Sequence, residues 1–149
     1  MSEKTLIILK PDAVDRRLVG RIVQRFEQKG LQILGMKLNV LPPEVIQAHY
    51  EAHKDKPFYD SLVGFMTGGP AVLMVLGGED AIATARRLMG ATASHKAEPG
   101  TIRGDFGLSA SYNLVHGSDS PEAAVREIEL FFKPEELLEY RTSGAQWFE

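Results

Sequence analysis

A histidine and several cations at separated positions of the chain could together bind and transfer a phosphoryl group. His116 ends a strand-like run, with apolar residues at 114–115 before it and Gly117 permitting a sharp turn after it. Ser120 followed by proline predicts a helix N-cap, and the free N–H groups of a helix start suit phosphate. We interpret His116 as a nucleophile that receives a phosphoryl group. The alternative is a hydrogen-bonded structural histidine, which is the commoner role for a lone histidine at a strand end.

Three cations could neutralise phosphate charge beside that imidazole. Lys10 follows an apolar strand, Arg86 lies late in a helix, and Arg103 lies in a glycine-containing loop. Guanidinium groups match phosphate oxygens through paired hydrogen bonds, although each residue alone is more often a surface side chain. Glu127 lies about two turns into the helix after His116. If that helix folds back along the strand, the Glu127 carboxylate could hydrogen-bond one imidazole nitrogen and leave the other free to attack. The alternative is a solvent-facing glutamate.

The order of elements predicts an α+β, ferredoxin-like βαββαβ sandwich with an inserted helical hairpin and a long loop. Continuous apolar runs at 5–9 and 71–76 predict buried central strands, and alternation predicts a further strand over 31–41. The sheet is expected to be antiparallel plus parallel, with helices mainly on one face. Helical spacing or breaking residues predict the following helices: 18–29, 44–51, 57–67, 82–89 and 121–132. In the last of these, Val125, Ile128 and Phe132 are expected on one apolar face. The loop is 91–111, and one domain spans 1–149.

Composition narrows the class of protein. The net charge of −3 over 149 residues gives no electrostatic footprint for nucleic acid. The absence of cysteine excludes disulfides and thiolate metal sites and is compatible with the cytoplasm. The N-terminal apolar run is too short for a signal peptide or a membrane span. We expect surface or capping roles for His49, His53 and His95, which show no metal-ligand grouping in the sequence.

Five segments in the same order resemble motifs of the nucleoside diphosphate kinase family. Residues 113–120, Asn-Leu-Val-His-Gly-Ser-Asp-Ser, resemble the active-site signature of that family. The other four resemble its first strand, helical hairpin, nucleotide-site loop and final helix, and they are residues 5–12, 49–58, 99–106 and 132–137. The similarity covers essentially the whole chain.

This resemblance implies a ping-pong reaction in which His116 takes the γ-phosphate from ATP or another nucleoside triphosphate and passes it to a nucleoside diphosphate. Ser118 and Glu127 would position His116, and Phe58 would stack on the base. Contacts to phosphate or ribose are implied for Lys10, Tyr50, Arg86, Thr92, Arg103 and Asn113. Mg²⁺ would be bound through the nucleotide phosphates, without metal ligands from the protein. A homo-oligomer is implied, a hexamer ahead of a tetramer, and the apolar tail at 147–148 favours a subunit contact.

Two departures and two rival functions remain at this stage. Ala110 stands where the family usually has valine or a similar aliphatic residue beside the base, and loop 93–98 lacks the usual Asn-Pro-Ala. The rivals are a ligand-binding module without turnover and a nucleic-acid binder on the same sheet. The co-occurrence of a candidate nucleophile with a phosphate clamp favours the enzyme, and the acidic balance opposes the nucleic-acid binder.

Overall fold

The computed structural model describes residues 3–149 as a four-stranded sheet with helices on both faces. The strands are β1 (Glu3–Leu9), β2 (Gln32–Val40), β3 (Pro70–Gly78) and β4 (Val115–Gly117). The helices are α1 (Pro11–Asp15), α2 (Val19–Lys29), α3 (Pro43–His49), α4 (Tyr59–Thr67), α5 (Ala81–Met89), α6 (Ile102–Phe106) and α7 (Pro121–Phe131). Single 3₁₀ turns span Glu51–His53, Ser94–Lys96, Pro134–Glu136 and Ala145–Phe148. No helix within residues 3–149 has the length and apolar character needed to cross a membrane.

The sheet has the order β2-β3-β1-β4, which is the ferredoxin-like arrangement predicted from the sequence. Every described pairing is antiparallel, so the expectation of an antiparallel-plus-parallel sheet is wrong. The crossover through α2 carries the chain past one strand position, and β3 then fills the gap between β1 and β2. Strands that run in the same direction are therefore never neighbours.

Helices cover both faces of the sheet, so the expectation that they lie mainly on one face is also wrong. On one face, Ile7 and Met74 pack with Ile22 and Phe26 of α2 and with Ala85 of α5. The opposite face is covered by the inserted hairpin, α3 and α4, together with α7. Its core residues are Leu6, Ile8, Leu73, Val75, Ile46, Met66 and Phe131. Because β1 and β3 are central and covered on both sides, their sequences are continuously apolar.

The edge strand β2 carries an apolar row that the helices leave uncovered. A register shift between Ile33 and Gly35 inserts one extra residue, which changes the face of every later side chain. Met36 and Leu38 therefore lie on the face of α2 and α5, where neither helix covers them, and Leu38 is 61% exposed. Val40 is exposed on the same row.

Helix α7 begins as predicted and is rotated from its expected orientation. The Ser120 hydroxyl accepts a hydrogen bond from the Ala123 N–H at 3.1 Å, so the predicted N-cap is confirmed. Its buried positions are Ala123, Ala124, Glu127 and Phe131. Val125, which was expected on the apolar face, is exposed because the buried stripe passes through Glu127 instead.

Candidate active site

Residue 116 is held on the three-residue strand β4, which pairs antiparallel with the central strand β1. Leu114, just before β4, has a φ of 73°, a left-handed conformation that costs a residue with a side chain on the order of 1–2 kcal/mol. Tertiary hydrogen bonds hold it there. The Leu114 N–H donates to Asp12 Oδ2 at 3.1 Å, and the Lys10 N–H donates to the Leu114 carbonyl at 2.8 Å. The first turn after β1 thus determines where His116 emerges.

Glu127 contacts His116 because the helix that follows β4 folds back along the strand, as the sequence analysis proposed. Glu127 Oε1 lies 3.0 Å from His116 Nε2 and accepts the Ser118 hydroxyl at 2.7 Å. Ser118 is itself fixed, because its Oγ accepts the Leu6 N–H at 3.1 Å. Burial raises the pKa of Glu127, but the hydrogen bonds and charge interactions with His116 and Ser118 bring it below its ordinary value.

This arrangement selects one imidazole tautomer. An ionised carboxylate can only accept hydrogen bonds, so Nε2 of His116 carries the proton that points to Glu127. The lone pair of a neutral ring is then on Nδ1. The His116 side chain is 23% exposed, so this buried assembly still meets solvent at the imidazole.

Lys10 and Asn113 lie beside the histidine strand as a buried polar pair. Lys10 Nζ donates to Asn113 Oδ1 at 2.8 Å, and Asn113 Nδ2 donates to the Thr92 carbonyl at 3.0 Å. Burial, and then the charge of Arg103, lower the pKa of Lys10 to about 8. Thr92 therefore contributes a backbone carbonyl to the same cluster.

Both arginines bond the backbone of residues 113–117. Arg103 donates Nε to the Asn113 carbonyl at 3.1 Å, Nη2 to the Val115 carbonyl at 2.7 Å, and Nη1 to the Gly90 carbonyl at 3.0 Å. Arg86 Nη1 donates to the Gly117 carbonyl at 3.0 Å. Burial, and then the charge of Arg86, lower the pKa of Arg103 to about 10. Two cations distant in sequence thus converge on the histidine strand, and a chain with a net charge of −3 has a locally positive site.

Tyr50 and Phe58 lie on the inserted hairpin at different depths. The Tyr50 ring packs edge-on against His49 with ring centroids 4.5 Å apart, and burial, with the charge of Glu127 second, raises its pKa. Phe58 is 49% exposed, so about half of the residue is accessible to a ligand. Ala110 is also exposed, in the loop between α6 and β4.

The His49 side chain is buried beside His116, unlike that of the surface or capping histidine that the sequence predicted. It is 2% exposed, and its ring lies 4.7 Å from the His116 ring at 88°. The surface or capping role expected for His49 is therefore wrong. One ligand atom from each of His49, His116 and Glu127 lies within 4.8 Å of the others, a grouping that forms only in the fold. No sequence signal reveals this cluster, because α3, β4 and α7 meet only in the fold. His95 is exposed, in agreement with the surface role expected for it.

Comparison with known proteins agrees with this architecture. A sequence model of the family described as nucleoside diphosphate kinase matches residues 3–137. The chain is 52% identical to the nucleoside diphosphate kinase of Carboxydothermus hydrogenoformans over 145 residues, which cover 97% of each protein. It is 53% identical to that of Thermococcus kodakarensis over 149 residues, covering 98% of this chain and 85% of that protein.

Solved structures show the same likeness in three dimensions. The halophilic nucleoside diphosphate kinase of Halobacterium salinarum in complex with CDP has a TM-score of 0.97 and 46% identity, covering 100% of this chain and 99% of that one. A nucleoside diphosphate kinase family protein from Babesia bovis has a TM-score of 0.96 and 43% identity, covering 99% of both chains. Fold, site and these likenesses define a nucleotide-binding phosphotransferase. The chain belongs to the nucleoside diphosphate kinase family.

Proposed function

We propose that the protein transfers the γ-phosphate of ATP or another nucleoside triphosphate to a nucleoside diphosphate through a phosphohistidine on His116. The observation that carries the residue assignment is the contact of His116 Nε2 with Glu127 Oε1 at 3.0 Å. That contact leaves the Nδ1 lone pair as the nucleophile.

The two half-reactions use the same atoms in opposite directions. The Nδ1 lone pair of His116 forms a bond to the γ-phosphorus, and the electrons of the broken P–O bond leave on the nucleoside diphosphate. The phosphorylated ring gains positive charge, which the Glu127 carboxylate stabilises across the Nε2 contact. A terminal oxygen of the second diphosphate then attacks phosphorus, the P–N bond breaks, and the ring recovers its lone pair.

Positioning and charge neutralisation provide the remaining catalysis. We assign contacts with phosphate or ribose to Lys10, Tyr50, Arg86, Thr92, Arg103 and Asn113. Arg103 has five N–H groups, and its three backbone bonds leave two of them for phosphate. Phe58 stacks on the base, which tolerates every nucleobase because each base has a π-face.

Mg²⁺ belongs to this proposal as a companion of the nucleotide. The hydrogen bonds place Lys10, Asn113 and Arg86 beside the histidine strand, and Glu127 brings one carboxylate, which offers few of the oxygen ligands that Mg²⁺ prefers. That donor set fits a magnesium ion held by phosphate oxygens and water better than one held by protein ligands. The ion supplies charge neutralisation on the phosphates when it is bound.

The proposal also includes a cytoplasmic location and a homo-oligomer, with a hexamer favoured over a tetramer. Each subunit would be one domain of residues 1–149, of which Met1 and Ser2 lie outside the described residues. The exposed apolar row of Met36, Leu38 and Val40 on edge strand β2 supports subunit contact. Light scattering after gel filtration tests it. Leu38→Lys should lower the oligomer mass, whereas Val125→Lys, at another exposed apolar position, should leave it unchanged.

Labelling tests the chemistry directly. Incubation with γ-³²P-ATP and Mg²⁺ should give a base-stable, acid-labile phosphate on the protein, and a chase with any nucleoside diphosphate should remove it. His116→Asn should abolish the label, and His95→Asn, at an exposed histidine, should retain it. Label that persists in the His116 variant would refute the assignment.

A further inference from the structure

Three side chains from different elements, one of them the candidate nucleophile itself, form a compact cluster of metal-ligating types. His49 ends α3, His116 lies on β4, and Glu127 lies on α7. His116 Nε2 is 3.0 Å from Glu127 Oε1, and His49 Nδ1 is 4.0 Å from Glu127 Oε2. One ligand atom from each residue lies within 4.8 Å of the other two.

His49 has no role in the phosphoryl transfer described above, and its polar atoms are unsatisfied. The side chain is 2% exposed, yet neither ring nitrogen has a hydrogen-bond partner among residues 3–149. Leaving a buried polar group unpaired costs about 1–3 kcal/mol, so its retention calls for a reason. In its neutral form the His49 imidazole offers one ring-nitrogen lone pair to a metal ion.

We propose that His49, His116 and Glu127 bind a divalent transition-metal ion of the zinc class, and that this ion switches off the phosphoryl transfer proposed for His116. Two imidazole nitrogens and one carboxylate oxygen form a ligand set that Zn²⁺ uses with a fourth position open. The His116 side chain is 23% exposed, so solvent reaches one of the three ligands. Mg²⁺ prefers all-oxygen surroundings and therefore does not compete for this cluster.

The cluster needs little rearrangement to accept such an ion. Metal–ligand bonds of about 2.0–2.2 Å place the ligands of a tetrahedral ion roughly 3.4 Å apart. Atoms that already lie within 4.8 Å of one another reach that separation through shifts on the order of an ångström. The charge of the Glu127 carboxylate offsets part of the ion's charge.

A metal ion would inhibit phosphoryl transfer by moving the proton of the His116 ring from one nitrogen to the other. This step rests on the proposed function. In the metal-free site Nε2 carries the proton and Nδ1 has the attacking lone pair. Metal coordination at Nε2 requires that nitrogen's lone pair, so the proton moves to Nδ1. No proton is lost from the ring, but the nucleophilic lone pair is replaced by an N–H bond. A metal ion therefore blocks attack without occupying the phosphate position.

Calorimetric titration of the untagged, unphosphorylated full chain with Zn²⁺ tests the site itself. Wild type should bind one ion, and His49→Phe, which keeps an aromatic ring against His116, should bind at least roughly tenfold more weakly. His49→Leu provides a second variant in case the larger ring perturbs the fold. His95→Asn, which removes an exposed histidine, should bind as wild type does. Equal affinity in wild type and both folded His49 variants would overturn the proposal.

Two further readouts separate this inference from the proposed function. Two-bond ¹H–¹⁵N correlation spectra should show His116 changing from the Nε2–H to the Nδ1–H tautomer when Zn²⁺ is added. At buffered free Zn²⁺, labelling by γ-³²P-ATP should fall in wild type and persist in His49→Phe. Zinc binding with an unchanged tautomer would overturn the switch. Absence of label without Zn²⁺ would refute the phosphoryl transfer, while the calorimetry and spectra would still decide on the metal site.

Discussion

Glu127→Gln tests whether the carboxylate charge behind His116 accelerates phosphorylation. Glutamine keeps an oxygen near the position of Oε1, which accepts from Ser118 at 2.7 Å and contacts His116 Nε2 at 3.0 Å. The negative charge alone is removed. Any loss of rate therefore measures how far that charge stabilises the positive imidazole ring that forms as phosphorus is attacked.

The expected magnitude follows from the short contact and the burial of Glu127. A charge-assisted hydrogen bond exceeds a neutral one by about 1–1.5 kcal/mol. Coulomb's law at 3.0 Å, with an effective dielectric constant of about 20 and half a positive charge on the ring, yields about 3 kcal/mol. The phosphorylation rate should therefore fall roughly 10- to 100-fold, at about 1.4 kcal/mol per factor of ten.

Rapid-quench measurement of His116 labelling by Mg²⁺ and γ-³²P-ATP gives that rate directly. Glu129→Gln is the matched control, because Glu129 lies two residues further along α7 and is exposed. It should react at the wild-type rate. If Glu127→Gln also reacts within about twofold of wild type, at a fold stability unchanged by the mutation, the carboxylate does not stabilise the charged ring and the reasoning fails.

Three further predictions concern the surroundings of the nucleophile. Arg103→Met leaves three carbonyl groups without their donor and should lower the free energy of unfolding in urea by about 3 kcal/mol or more; an unchanged midpoint would contradict this. Phe58→Ala should weaken calorimetric binding of every nucleoside diphosphate by about 1–3 kcal/mol, and a loss confined to one base would argue against stacking. The pKa of His49 is about 3 in the folded chain, against an ordinary value of 6.5 that applies to the unfolded chain. As the pH falls, His49 is therefore protonated in the unfolded chain first, which favours unfolding. Protonation of His49 should therefore lower the free energy of unfolding by about 2 kcal/mol from pH 7 to pH 5. His49→Phe should lack this decrease, and an equal dependence of unfolding free energy on pH in both proteins would contradict the prediction.

Local patterns predicted much of the scaffold because they reflect local causes. The continuous apolar runs predicted β1 and β3 as central strands, and both are covered on two faces. Ser120 and Pro121 predicted the start of α7, where a hydroxyl caps a free N–H. The motif around His116 identified the family that the comparisons show. Each of these signals depends on residues within a few positions of one another.

The same local patterns were misleading wherever distant segments decided the outcome. The alternation in β2 did not reveal the extra residue between Ile33 and Gly35, because a bulge depends on how β3 pairs with it. Arg103 was interpreted only as a phosphate contact, yet it also ties Gly90, Asn113 and Val115 together through backbone carbonyls. Those acceptors come from segments whose approach no spacing rule predicts.

The sequence by itself determined the element order, the two central strands and the chemical identity of the site, since propensity, capping and motif residues act within a short stretch of chain. Only the tertiary structure decided that every described strand pair is antiparallel, that Glu127 meets Nε2, and that His49 lies against His116. The physical reason is that strand order and side-chain approach are set by how separate elements pack. A hydrogen bond or a metal-ligand cluster between such elements exists only after the chain has folded.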